Sequence, residues 1–322
     1  MIHRTLGRAE LSVSPLCFGG NVLGWTTDEK RSFEVLDAYV DGGGNFIDTA
    51  DTYSTWVPGH VGGESEIILG NWMSARKNRS RVIIATKLGS RMGTAPNAQG
   101  LSRRYIMEEV EASLKRLQTD YIDLYQAHRD DPNTPLEETM AAFDDLVRQG
   151  KVRAIGASNY SAARLREALR VSDQHGYARY ECLQPPYSLV NRAEYERDLE
   201  ALCLEQGIAV ITYSSLASGF LSGKYRQGQA LPSSPRAKGI AERYMNEKGF
   251  RILEQLDRVV AAHHATVGQI ALAWIIARPG ITAAIASGTS VEQVRELLGA
   301  AEITLSADEM QTLDGVSAWK KD

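Results

Sequence analysis

The sequence predicts an α/β chain closed into a (β/α)8 barrel, with an N-terminal β-hairpin before it and a long loop after the seventh strand. Three observations predict this. Short apolar runs alternate with amphipathic stretches of helical length from residue 16 almost to the end, which implies a parallel sheet. Eight such units can be counted, a number at which a parallel sheet closes on itself. Polar and ionisable residues gather at the carboxyl ends of several strands, and a barrel builds its site on that face.

The elements follow in order. Residues 2–15 alternate loosely and turn around Gly7 to Glu10, which reads as a small hairpin plugging the barrel's bottom. Leu16 to Gly19 is the first core strand. Then come helix 28–42, strand 45–49, helix 64–77, strand 82–87, helix 102–117 and strand 121–127. The alternation continues through helix 135–149, strand 152–157, helix 161–175, strand 181–185, helix 193–206 and strand 208–213. Gly150 and Gly207 stand where helix C-caps belong. Helices near 249–263 and 266–278 precede an eighth strand at 281–286, and helices near 291–299 and 306–316 complete the chain. A barrel of this kind takes about 250 residues, so the surplus of a 322-residue chain belongs to loops and ends. The largest loop, Ser215 to Lys248, contains GKYRQGQALPSSPRAKG and is too polar for a core; it is expected to be a mobile cover over a ligand. A single domain over 1–322 is expected, with no linker.

With 43% hydrophobic and 24% charged residues the composition is that of a globular protein with a large core. A formal charge of −4 without like-charge runs argues against nucleic acid as a partner. Cys17, Cys182 and Cys203 are odd in number and widely spaced, which fits a reducing compartment and no disulfide framework; no metal-ligand cluster is visible. The start, MIHRTLGRAELSVSPL, has no apolar signal core, and no apolar stretch reaches the roughly 20 residues of a membrane span, so the cytoplasm is expected.

The chemistry centres on NFIDTADTY, residues 45–53, a buried strand whose end is crowded with polar groups. VIIATK finishes on Lys87, YIDLYQAH on His128 and VRAIGASN on Ser158 and Asn159. Alone, each residue has an ordinary explanation: Asp48 as a helix cap, Tyr53 as packing, His128 as a satisfied core histidine. Together, Asp48, Tyr53, Lys87 and His128 form one constellation. A tyrosine with an ordinary pKa of about 10 needs a neighbouring charge to act as a proton donor near neutrality, and Lys87 can supply it. Asp48 would hold the ammonium, and His128 would orient a carbonyl oxygen. Carbonyl protonation needs a hydride to accompany it, which no side chain provides, so a nicotinamide cofactor is inferred.

FIDTADTY, IIATKLG, RLQTDYIDLYQAH, IGASNYS, LQPPYSLVNR and ITYSSLASGFLSGKY together resemble the aldo-keto reductase family, in order and nearly end to end. The resemblance implies a (β/α)8 barrel that reduces aldehydes and ketones to alcohols with NADPH, or the reverse, NADH being admissible; bulky ketones fit as well as small sugars. By matching motif, Tyr53 is the general acid, Asp48 and Lys87 tune it, and His128 places the carbonyl. On the cofactor side, Ser158, Asn159 and Gln184 are similar to the groups that hold the nicotinamide carboxamide, and Tyr213 to the ring that stacks on it. Gly20 and Asn21 join that side. Ser214, Leu216, Ser218, Gly219 and Lys224 resemble the pyrophosphate stretch, and Arg236 the contact to a 2′-phosphate. Ser287, Gly288, Thr289, Gln293 and Glu296 align with the adenosine-phosphate site.

This last region departs from the family. Many relatives carry lysine at Ser287, arginine at Gln293 and asparagine at Leu297. Glutamine at the Gln293 position also occurs in branches resembling potassium-channel β subunits and bacterial reductases, so NADPH stays admissible while its preference over NADH weakens. Gly19, Gly20 and Gly24 lack GxGxxG spacing, so no Rossmann-type site is expected.

The substrate pocket is expected to draw on Trp25, Trp56, His60, Arg129 and Tyr187. Arg129 beside His128 is a candidate contact for an anionic substrate, but an ion pair with Asp130 or Asp131 is the commoner fate, so an acidic substrate is not expected. Two other functions fit less of the chain. A Schiff-base aldolase would use Lys87 but leaves Tyr213, Gln184 and GASN unexplained. A nicotinamide-sensing subunit of a larger assembly would keep the cofactor segments and dispense with turnover.

Overall fold

A computed structural model of the chain describes residues 1–93, 98–234 and 236–319. Strands β1 (Arg4–Thr5) and β2 (Ser12–Val13) form an antiparallel hairpin. A closed parallel barrel follows: β3 (Leu16–Gly19), β4 (Phe46–Asp48), β5 (Ile83–Leu88), β6 (Ile122–Ala127), β7 (Val152–Ser158), β8 (Tyr180–Gln184), β9 (Ala209–Thr212) and β10 (Ile281–Ala286). Neighbours pair in sequence order and β10 returns to β3, through Ala284↔Leu16 and Ala286↔Phe18.

Helices α1 (Glu29–Asp41), α2 (Glu64–Arg76), α3 (Arg103–Leu117), α4 (Leu136–Arg148) and α5 (Ala162–His175) carry the chain from strand to strand. Their starts are marked chemically: Asp28, Ser102 and Ser161 each accept a first-turn backbone N–H of α1, α3 and α5, satisfying a donor the helix cannot. The predicted helix 193–206 is broken into α6 (Ala193–Glu196) and α7 (Leu199–Gln206), because Asp198 at φ −138° leaves the helical region. Gly207 closes α7 in the left-handed conformation expected of it.

The segment after β9 corrects the expectation of a wholly polar loop. A 3₁₀ turn at Ala217–Ser222 buries Phe220 and Leu221, and α8 (Ala237–Tyr244) buries Ala237 and Ile240. Phe220 and Leu221 are an isolated pair between Ser-Gly dipeptides, and Ala237 and Ile240 are set among polar or small residues, so no helical or strand period announces them. Pro235 of SSPRAKG lies outside the described residues. Helices α9 (Glu247–His263) and α10 (Val267–Ile276) precede β10, with α11 (Val291–Gly299) and α12 (Ala307–Ser317) after it. Among the described residues no single helix is long and apolar enough to cross a membrane.

What positions the site is the parity of the strands. Cys17, Phe46, Ala85, Leu124, Ala154, Cys182, Ile211 and Ile285 pack into one apolar cluster inside the barrel, joined by Leu6, Leu11 and Val13 of the hairpin. The hairpin thus stops the bottom, tied there by Arg4 Nη1 donating to the Ile281 carbonyl at 2.7 Å. Phe18, Ile47, Ile84, Tyr125, Ile155, Leu183 and Val210 belong to the larger cluster that takes in the helices. Side chains alternate along a strand, so the inward positions recur every second residue, about 6.6 Å further up. Those next positions are Gly19, Asp48, Lys87, Gln126, Gly156, Gln184, Tyr213 and Ser287.

Candidate active site

The upper interior is built around Lys87. Its ammonium is fully buried and donates to Asp48 Oδ2 at 2.8 Å, the Thr49 carbonyl at 2.6 Å and the Tyr53 hydroxyl at 2.9 Å. A buried ammonium is tolerable only with partners of this kind. The Tyr53 hydroxyl also donates to Asp48 Oδ2 at 3.1 Å, and Gln184 Nε2 donates to Asp48 Oδ1 at 2.8 Å, so both carboxylate oxygens are engaged. Gly156 leaves room for Gln126 beside β8: a Cβ there would meet the Cys182 carbonyl at 3.0 Å and Gln126 Cγ at 3.1 Å.

Burial pushes the Tyr53 phenol well above the ordinary tyrosine range, and the Asp48 carboxylate pushes the same way. Tyr53 therefore holds its proton at neutral pH. His128 stands edge-on to it, ring centroids 6.2 Å apart. Burial, with Lys87 and Arg129 nearby, pushes this imidazole down to about 3, so it is neutral at physiological pH; its Nδ1 is buried without a partner.

The quartet opens into a cleft of about 760 Å³. Of the residues singled out from sequence, Asn21, Tyr53, Trp56, His128, Arg129, Ser158, Asn159, Gln184, Tyr213, Ser214, Leu216, Ser218, Gly219, Arg236 and Ser287 line it. They are linked to one another. Ser158 Oγ donates to the Gln184 carbonyl, Asn159 Nδ2 to the His128 carbonyl, and the Tyr213 hydroxyl to Asn159 Oδ1. Ser287 Oγ reaches Asn21 Oδ1 at 2.7 Å and the Gly19 carbonyl at 2.8 Å. Arg236 lies 4.4 Å over the Trp25 ring, and Trp25 meets Trp56 edge-on, which carries an aromatic rim back to Tyr53.

Backbone strain gathers at the same place. Eight non-glycine residues have positive φ among those described, and three of them, Lys77, Gln118 and His264, merely cap helices. The other five, Ser54, Asn159, Ser214, Ala217 and Ser218, stand at or beside the cleft, where such conformations persist when the surroundings fix them.

Several expected residues lie elsewhere. Gly20 sits beneath the cleft, its carbonyl accepting from Ser65 Oγ. Lys224 is exposed beyond the lining. Gly288 is outside it too, and Gln293 Oε1 is occupied by the N–H and hydroxyl of Thr289. Glu296 accepts from Thr266, and Leu297 is buried. His60 stands by Glu64, outside the lining. Tyr187 is core, stacked on Trp274 with its hydroxyl on Glu196. Nor does Arg129 take the expected ion pair: Asp130 is bound by Arg164 at 2.8 Å, and Asp131 accepts from Leu101, Asn133 and Thr134.

Sequence reasoning missed Gln126, Gly19 and Ile285, although the every-second-residue rule from Leu124, Cys17 and Ala283 would have found all three. It also missed where Asp51 points. Two residues from Tyr53, it is buried away from the cleft with Glu66 and Glu109, which with burial push it well above the usual carboxylate range. Arg116 pairs with both glutamates behind the site.

Comparison with known proteins gives a consistent result. The profile described as the aldo/keto reductase family matches residues 15–318. The chain is 36% identical over 321 residues to an uncharacterized oxidoreductase, YrpG, of Bacillus subtilis (strain 168), spanning 98% of this chain and 96% of the relative. It is 34% identical over 309 residues to a probable voltage-gated potassium channel subunit beta of Arabidopsis thaliana, spanning 94% and 92%. To the aldo-keto reductase AFTS1 of Alternaria alternata it is 34% identical over 344 residues, spanning 97% and 91%.

Proposed function

The chain belongs to the aldo/keto reductase family, and we propose on that footing that it reduces an aldehyde or ketone to the alcohol, with NADPH as the favoured hydride source and NADH as the second. A reduced nicotinamide dinucleotide supplies the hydride when bound. Ser158, Asn159 and Gln184 would hold its carboxamide, Tyr213 its ring, the strained turn from Ser214 to Gly219 its pyrophosphate, and Arg236 a 2′-phosphate. The fit rests on a cleft whose lining, among the described residues, includes the guanidiniums of Arg129 and Arg236 and no carboxylate, in a chain of net charge −4.

Proton delivery belongs to the chain's own residues. Tyr53 keeps its proton until a carbonyl oxygen accepts it, and the Lys87 ammonium, 2.9 Å from the phenol oxygen, stabilises the phenolate left behind. Asp48, 2.8 Å from Nζ, pairs with Lys87 and aims it. His128, neutral and with Nδ1 buried, offers an N–H at Nε2 to the same carbonyl oxygen. The single observation that carries this reading is the fully buried Lys87 between Asp48 and Tyr53. It also counts against a Schiff-base role, which needs a free amine lone pair; here Nζ donates to three oxygens. The three free, buried cysteines support the reducing, cytoplasmic setting.

A nicotinamide-sensing subunit is the second reading, favoured by the 34% identity to a plant potassium channel subunit beta. The test follows NADPH and NADH oxidation over carbonyls from small aldehydes to bulky cyclic ketones, in wild type and Tyr53→Phe. Turnover is expected to fall about 10²- to 10⁴-fold in the variant, with nucleotide binding, read by tryptophan quenching, retained. Equal turnover would remove Tyr53 as the acid. Tight nucleotide binding with no turnover of any carbonyl, and recovery of a channel partner, would favour the second reading.

A further inference from the structure

Arg129 occupies an unusual position. It is exposed at the cleft wall directly after His128, and no carboxylate lies within 4 Å of it among the described residues. Its neighbours in sequence cannot neutralise it. Asp130 is bound by Arg164, which also reaches Glu167, and Asp131 is filled by Asn133 and Thr134 of its own loop and by the Leu101 N–H from the loop after β5. The backbone beneath is pinned on both sides: the His128 N–H donates to the Leu88 carbonyl and its own carbonyl accepts from Asn159 Nδ2. The guanidinium is therefore presented by a fixed support, and its charge acts on both His128 and Tyr213.

The phosphates of a dinucleotide do not account for this cation. The strained turn of Ser214 to Gly219 and Arg236 over Trp25 serve that end, and Trp25 follows β3, three strands round the barrel from the β6 loop that carries Arg129. Beside His128 and Tyr53, what remains for Arg129 to meet is the substrate. A planar guanidinium suits a carboxylate, which it can grip through two parallel N–H bonds.

We propose that Arg129 is a specificity-determining residue that selects carbonyl substrates carrying a carboxylate, so that oxo acids and carboxylated aldehydes are preferred over neutral carbonyls of the same size. The proposal rests on the reductase reading above and gives it a substrate class. Because Arg129 is exposed, its pairing with a substrate is partly screened, and the preference shrinks as ionic strength rises.

The test compares kcat/KM for 4-carboxybenzaldehyde with that for its neutral counterpart 4-formylbenzamide, in wild type, Arg129→Gln and Arg129→Lys. Wild type is expected to favour the carboxylate roughly tenfold, mostly through KM, as befits one charge-assisted contact. The ratio should collapse toward one in Arg129→Gln and be intermediate in Arg129→Lys; because each enzyme is its own reference, general damage cancels. A wild-type ratio of one or below, or a preference that survives in Arg129→Gln, overturns the proposal. Binding of benzoate against benzamide, followed by tryptophan fluorescence, separates the two layers. Carbonyl turnover with equal binding of both leaves the reductase reading standing and removes the anion site. Arg129-dependent benzoate binding without turnover of any carbonyl does the reverse.

Discussion

The lower and upper halves of the barrel interior use the same strands and the same inward parity, yet share almost no chemistry. Below, Phe46, Ala85, Leu124 and Cys182 meet the hairpin's Leu6, Leu11 and Val13 in a dry apolar plug. One inward position higher, Asp48, Lys87, Gln126 and Gln184 form a polar layer whose charges are as buried as the plug itself. The lower layer is stabilised by removing apolar surface from water. The upper layer is tolerated only while every charge has its partner. Stability and chemistry are therefore stacked along each strand, one inward position apart, and the first layer holds the second in register.

This contrast can be broken at either layer. The largest effect is expected from Lys87→Met, which leaves Asp48 buried without its cation: about 3–5 kcal/mol of stability should be lost in urea titrations, together with turnover. Phe46→Ala empties the plug and should lose a similar 3–5 kcal/mol, but kcat should survive at temperatures where the variant stays folded. Equal loss of kcat in both would mean that the layers are not separable. Replacing both charges, as in Asp48→Leu with Lys87→Met, should regain most of the roughly 3–5 kcal/mol lost in the single variant while remaining inactive; failure to recover would show that Lys87 stabilises by more than its pairing.

The smallest effect concerns acid. His128 is near 3 folded against an ordinary 6.5, so the unfolded chain binds a proton there that the folded chain refuses. Stability should accordingly fall as pH drops from about 6.5 toward 3. In His128→Gln that contribution to the slope should vanish, which paired urea midpoints at pH 7 and pH 4.5 would reveal. An unchanged slope would mean that the imidazole titrates freely in the fold.

Much of this was legible in the sequence, for a physical reason. The alternation of apolar and amphipathic runs marks the barrel because each strand is buried on both faces and each helix on one, and strand ends carry the polar residues that no core would accept. Asp48, Tyr53, Lys87 and His128 were visible for that reason. Gln126 was not, since a polar residue within YIDLYQAH reads as the loop's approach and only the packing of Leu124 fixes its direction. Partnership was less legible still. Arg129 with two adjacent aspartates looks self-neutralised, and only the fold brings Arg164 to Asp130 and Leu101 to Asp131. Side chains adjacent in sequence compete with remote ones, and a one-dimensional reading cannot see who wins.

The seam between β3 and β10 has a consequence for synthesis. Phe18 pairs with Ala286, so the first core strand waits for almost the whole chain before its second neighbour exists. Until then β3 and β9 are open edges of a half-rolled sheet, the state in which unpaired strands recruit other chains. Closure of the barrel therefore cannot precede synthesis of its last strand.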